Sequence, residues 1–263
     1  MKVDVYDKDG RYLRTAVWEI GDGAYGPRVD GRGNLYFAMG VACNDGNVPK
    51  VFKSIDYYGG SYGSIVKFPP AGGALWFSSP RAYAANFGFP RPELRMPKQE
   101  VYVIRGPRMY PDGVLQGAQW WRPGFSVYQD LSRSPGGPYC HCNGQSFDVD
   151  PYGRIFYPDM LRFRIVVLDS NGNEILHFGG YGNCDQRGTY SWLRDSKDGG
   201  LRPPASSVRR RMAPFGDPPF AFAFLNGIAV GEDHLYVTDT LNQRLLKIRL
   251  EYEDQAACPI SSH

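Results

Sequence analysis

Phe147-Asp148-Val149-Asp150-Pro151-Tyr152-Gly153-Arg154-Ile155-Phe156-Tyr157-Pro158-Asp159 reads as two short strands around an Asp-x-x-Gly turn. Val29-Asp30-Gly31-Arg32-Gly33-Asn34-Leu35-Tyr36-Phe37 repeats it, and Ile228–Asp239 repeats it with a degraded turn. A second kind of hairpin alternates with the first. It carries Asp7-Lys8-Asp9-Gly10 and Asp169-Ser170-Asn171-Gly172, and Pro70-Ala71-Gly72-Gly73 resembles a third copy. Asp and Asn at such positions bond their own backbone, and Gly supplies the positive φ that the turn needs. Each turn joins two short alternating segments, the signature of a hairpin.

The spacing of these turns sets the architecture. Asp7 to Asp30 is 23 residues and Asp150 to Asp169 is 19, together 42. Four-stranded blades of a β-propeller repeat every 40–45 residues or so. Longer intervals locate insertions near Ala42–Gly63 and Gly180–Pro219. Surface loops absorb such insertions at little entropic cost. Between Phe77 and Gln145 one blade is expected, with strands at Val101–Ile104 and Gly124–Tyr128 and a turn near Pro111-Asp112-Gly113.

The expectation is a single all-β domain over residues 1–263, a β-propeller of four-stranded antiparallel blades with long inserted loops. About four blades are visible. The chain opens with the last two strands of a blade and ends with the first two or three. Either the N-terminus completes the final blade and closes the ring, or the chain is the C-terminal piece of a six-bladed propeller. Short alternating strands also fit a two-sheet sandwich, but the 42-residue recurrence favours the propeller.

Composition agrees with this class. Gly 32 and Pro 21 make up about a fifth of 263 residues, and aromatic residues reach 14%. Many turns and many aromatic strand residues argue for β structure. A net charge of +3 calls for neither nucleic acid nor an anionic membrane as partner. No apolar stretch approaches the ~18 residues of a spanning helix.

Asn226-Gly227-Ile228-Ala229-Val230 followed by Leu235-Tyr236-Val237-Thr238-Asp239-Thr240-Leu241-Asn242-Gln243-Arg244-Leu245 closely resembles the NHL repeat. Phe147–Asp159 with Arg164-Ile165 resembles a second, more divergent copy. Both copies keep an Asp-to-Arg spacing of five, Asp159 to Arg164 and Asp239 to Arg244. In the N-terminal copy Ala38-Met39 stand where the Asp belongs. An Arg five residues on, across a bend, can reach back to the carboxylate and to loop carbonyls, pinning the connection between second and third strands. The resemblance implies a propeller that binds a protein or small ligand through its loops. It also implies an alternative, since some NHL-type propellers are lyases, or resemble lactonases, and hold a metal at the channel mouth. Either the protein is cytosolic or it is a piece of a longer chain whose address lies upstream, and an extracytoplasmic parent protein is the favoured expectation.

Five cysteines are present, Cys43, Cys140, Cys142, Cys184 and Cys258. Cys140-His141-Cys142 places two soft ligands beside an imidazole, a partial zinc or copper site that needs Cys184, Cys43 or His177 to complete it. Disulfides through Cys184 or Cys43 are the other reading, in an oxidising compartment. Unpaired cysteines are the third. Zinc or another divalent metal is therefore an open cofactor. Tyr57, Tyr58 and Tyr62, with Trp120 and Trp121, offer an aromatic surface for sugars or peptides, although core packing explains the tryptophans as well. No nucleophile elbow and no phosphate-cradling loop is present.

Overall fold

The computed structural model describes residues 2–18, 25–42, 62–77, 94–105, 108–126, 145–182 and 220–251. The strands run β1 (Lys2–Tyr6), β2 (Tyr12–Trp18), β3 (Tyr25–Val29), β4 (Leu35–Met39), β5 (Val41–Ala42), β6 (Tyr62–Phe68), β7 (Gly73–Phe77), β8 (Lys98–Arg105), β9 (Arg108–Gln116) and β10 (Trp120–Ser126). They continue with β11 (Asp148–Val149), β12 (Ile155–Asp159), β13 (Arg164–Leu168), β14 (Glu174–Phe178), β15 (Gly180–Tyr181), β16 (Ala221–Phe222), β17 (Leu225–Val230), β18 (His234–Asp239) and β19 (Arg244–Arg249). Among the described residues the only helical element is a 3-10 turn at Met160–Arg162, and no helix is long and apolar enough to cross a membrane.

The all-β expectation holds. β11-β12-β13-β14 form a four-stranded antiparallel sheet in simple chain order. β17-β18-β19 form three strands of another. A third sheet has the order β3-β4-β6-β10, and the fourth has β1-β2-β7-β9-β8-β5. A parallel pair, β15 with β16, stitches the exit of the third-last sheet segment to the entry of the last.

One turn recurs four times with the same bonds. In each, the first Asp accepts through Oδ1 from the backbone N–H two and four residues on: Asp9 and Arg11, Arg32 and Asn34, Tyr152 and Arg154, Asn171 and Asn173. The fourth residue is glycine at φ near +80°, donating to the Asp carbonyl. The carboxylate thus holds the loop from inside, a three-residue hairpin loop with a glycine bulge.

Two expectations fail, each for a physical reason. The Pro70–Gly73 turn forms, with Gly72 N–H donating to Pro69 O, but it does not close a hairpin. β6 pairs instead with β10, and β7 leaves for the six-stranded sheet. This turn has no Asp to hold it, and its glycines let the chain run against β2. A Cβ on Gly72 would overlap the Ala16 carbonyl, and one on Gly73 would overlap Gln116 O and the Phe68 ring. Pro111-Asp112-Gly113 is no turn either. It lies within β9, where a register shift opposite Val101 to Val103 absorbs the proline as a bulge. The expected separate blade over 77–145 is therefore split between two sheets. Finally, of the two arrangements expected for the chain's ends, the one that joins the N-terminal hairpin to the β17–β19 sheet is not seen among the described residues. β2 pairs in parallel with β7, Val17 opposite Gly73, and β1 pairs only with β2 among the described residues.

Three apolar cores lie between the sheets in series. Leu35, Phe37 and Met39 of β4 face Val17, Leu75, Val101 and Leu115. Tyr36 and Ala38, on the other side of β4, face Ile155, Tyr157, Val166 and Leu168. Phe156, Ile165 and Val167 face Leu225, Ile228, Leu235 and Val237. Alternate residues of one strand thus enter different cores. β4 and β12 are buried along their whole length because both faces are covered. Four sheets stacked through three cores are not a two-sheet sandwich.

Gly72→Ala should lower stability by at least ~2 kcal/mol, because both its left-handed φ and the Ala16 carbonyl oppose a side chain. Gly31→Ala, in open space, should stay within ~0.5 kcal/mol of wild type. Urea denaturation of the two variants measures the difference.

Candidate functional site

The hairpin turns from adjacent sheets converge on one cavity of ≈ 280 Å³. Its wall is Asp30, Gly31 and Arg32 from the β3–β4 turn, Lys67 from β6, Pro151, Tyr152 and Gly153 from the β11–β12 turn, and Ser170 from the β13–β14 turn. The carboxylate-held loops fix the positions of three of these four segments. Lys67 Nζ crosses the sheet boundary to donate to Ser170 O at 2.8 Å, and Trp120 Nε1 donates to the same carbonyl at 3.0 Å.

The electrostatics of the cavity follow from these contacts. Asp30 Oδ2 accepts from Asn34 Nδ2 at 2.8 Å and from the Tyr36 hydroxyl at 2.9 Å. Burial disfavours its charge, but those bonds and the turn amides outweigh burial and lower its pKa. The Tyr36 phenol is raised above its ordinary range, first by burial and then by its bond to Asp30. Lys67 lies 5.3 Å over the Tyr36 ring. Burial is the main influence on its ammonium and pushes the pKa down.

The Asp–Arg pairs take the roles that their spacing suggests. Asp159 stands opposite Arg164, and Asp239 opposite Arg244, in the strand register. Arg164 Nε donates to Asp159 Oδ2 at 2.9 Å, and Arg162 reaches the same oxygen at 3.0 Å. Arg244 Nε donates to Asp239 Oδ2 at 3.1 Å, and its second arm donates to Ala221 O. Asp239 Oδ1 accepts from the amides of Ala223 and Phe224, and Asn242 Nδ2 bridges Asp239 to Gly182 O. One buried carboxylate therefore ties β18, β19 and both arms of the β15–β16 connection together. Both loops place a non-glycine residue, Phe163 at φ 55° and Gln243 at φ 50°, in the left-handed region just before the Arg. Met39 and Ser64 occupy the corresponding end of the β4–β6 pair, both fully buried, and Ser64 Oγ donates to Val41 O at 2.6 Å.

Trp120 and Trp121, expected on a common aromatic surface, lie on opposite faces of β10. Adjacent strand residues point to opposite faces. Trp120 packs edge-on to Tyr36 and against Gly172, while Trp121 packs on the next core and donates to Gln99 Oε1 at 2.9 Å. Tyr62 opens β6, opposite Ser126. Tyr57, Tyr58, Cys140, His141, Cys142 and Cys184 lie outside the described residues, as do Cys43 and Cys258. Among the described residues no three His, Cys, Asp or Glu side chains gather as a metal site. His177 hydrogen-bonds Glu174 at 2.7 Å on an exposed strand.

The cavity escaped a reading by motif because four distant segments build it. One signal was present: Lys67 interrupts the apolar run Ile65-Val66-Lys67-Phe68, where a buried strand should carry no charge. No protein-family model matches the chain, and no curated protein matches it.

Asp239→Ala should cost about 3 kcal/mol, since it strands a largely buried guanidinium and two amides. Asp7→Ala, in an exposed turn, should cost about 1 kcal/mol. Acid should destabilise the fold through Asp30 and Asp169, whose pKa values are lowered on folding. That stability is present above the unfolded carboxylate value near ~4 and is lost as pH falls through the lower folded values. Asp169→Asn should flatten the loss, as read by denaturant midpoints between neutral and acid pH.

Proposed function

We propose that the chain is an NHL-type β-propeller binding module that presents its inserted loops and its turn-lined face to a protein or a small ligand. The serial stack of sheets carries this reading. Blades set about an axis bury both faces of each interior sheet and bring their first strands together. Here β3, β11 and β17 each begin their sheet and lie side by side. Arg28 Nε of β3 donates to Asp148 Oδ1 of β11 at 2.7 Å, and Asp148 Oδ2 accepts from Val230 N of β17 at 2.8 Å. The buried Asp–Arg clamps sit where the NHL-like motif has its Asp and Arg. A scaffold pinned in this way suits recognition by loops, which is where rigid folds put function.

Thermal-shift screening of the purified protein against small anions, sugars and short peptides tests the reading. A bound ligand should add about 2.7 kcal/mol of stability at roughly a hundredfold excess over Kd, and mass spectrometry should recover it unchanged. A stoichiometric metal that is lost on His141→Ala, together with hydrolysis of a lactone substrate, would instead make the protein a metal-dependent propeller enzyme.

A further inference from the structure

Lys67 is 7% exposed, yet no carboxylate of a described residue lies within ion-pairing distance of it. Its one hydrogen-bond acceptor among the described residues is the neutral carbonyl of Ser170. A buried ammonium is ordinarily paired, because desolvation costs it several kcal/mol. Asp30 is near but already occupied, its two oxygens accepting from Arg32 N, Asn34 N, Asn34 Nδ2 and the Tyr36 hydroxyl. The Arg32 guanidinium stands exposed on the same wall without an ion pair to any described residue. The cavity wall therefore carries two cations against one carboxylate. Tyr152 and Pro151 form its less polar side.

We propose that this cavity binds a small organic anion, with a carboxylate or phosphate head group between Lys67 Nζ and the Arg32 guanidinium and the body of the molecule against Tyr152 and Pro151. The proposal names a ligand class for the binding module and rests on that reading. Lysine offers a point charge, and arginine offers a fork that matches either head group. A cavity of ≈ 280 Å³ suits a small molecule rather than a polymer. The ligand bridges the β3–β4–β6–β10 sheet and the β11–β14 sheet, so binding also fastens one to the other.

Isothermal titration with glycerate, glycerol 3-phosphate, inorganic phosphate and neutral glycerol tests the proposal. Wild-type protein should bind at least one of the two organic anions, more tightly than it binds inorganic phosphate, and should not bind glycerol. Glycerate and glycerol 3-phosphate separate a carboxylate preference from a phosphate preference. Added salt should weaken the binding. Arg32→Ala, on the surface, should keep the wild-type melting temperature and weaken binding about tenfold. Lys67→Met, which keeps the apolar stem, should abolish it; if that variant misfolds, Arg32→Ala decides alone. Binding of glycerol equal to that of its phosphate, unchanged affinity in Arg32→Ala, or no binding of any anion would overturn the proposal. Ligands from the thermal-shift screen that Arg32→Ala leaves untouched would overturn this site while leaving the binding module standing. No ligand in either experiment would remove both.

Discussion

The β3–β4–β6–β10 and β11–β14 sheets carry apolar side chains on both faces, so each needs two covers. Leu35, Phe37 and Met39 demand one neighbour and Tyr36 and Ala38 another. Ile155 and Tyr157 share the second core, while Phe156 looks to a third. Burial at roughly 25 cal/mol per Å² of apolar surface favours every such cover. Placing the sheets in series, with a core between each pair, satisfies all of them. The cavity, the buried clamps and the adjacent first strands all follow from that serial arrangement.

Polar contacts then decide how the sheets are aligned. Asp148 joins three sheets through Arg28 and the Val230 amide. Ser146 Oγ accepts from Ile228 N at 2.9 Å, and Gln145 Nε2 donates to Leu225 O at 2.7 Å. Apolar packing tolerates sliding, whereas directed hydrogen bonds between edges do not. Asp239 performs the same service for the last sheet. Its carboxylate is completely buried and collects bonds from four residues on three segments.

What was legible in the residues was local. Each Asp-x-x-Gly hairpin is held by its own carboxylate, so five residues suffice to read it. The Asp–Arg clamps span six residues and were legible for the same reason. Even the lack of an Asp at Ala38-Met39 was visible, and Ser64 stands opposite Met39 at that end of the β4–β6 pair. The failures are all non-local. Pairing of β6 with β10 depends on segments separated by an entire inserted hairpin, which a repeat length cannot register. The Pro111 bulge depends on Val101 and Val103 across the sheet. Lys67 signalled a charge in a buried strand, but only the neighbouring sheet's turns make a cavity of it.

The displaced partner of β6 also has a consequence for how the chain is made. β14 follows β13 across a short turn and can pair as soon as it is synthesised. β6 waits for β10, with β7, β8 and β9 emerging first into a different sheet. Throughout that interval the edge of β6 offers unpaired amides and carbonyls beside Ile65, Val66 and Phe68. Local hairpins close quickly, and distant strands close slowly. The nascent chain is thus most open to wrong pairing while the insertion is being translated, and a buried lysine within β6 places a charge in the segment that would otherwise stick.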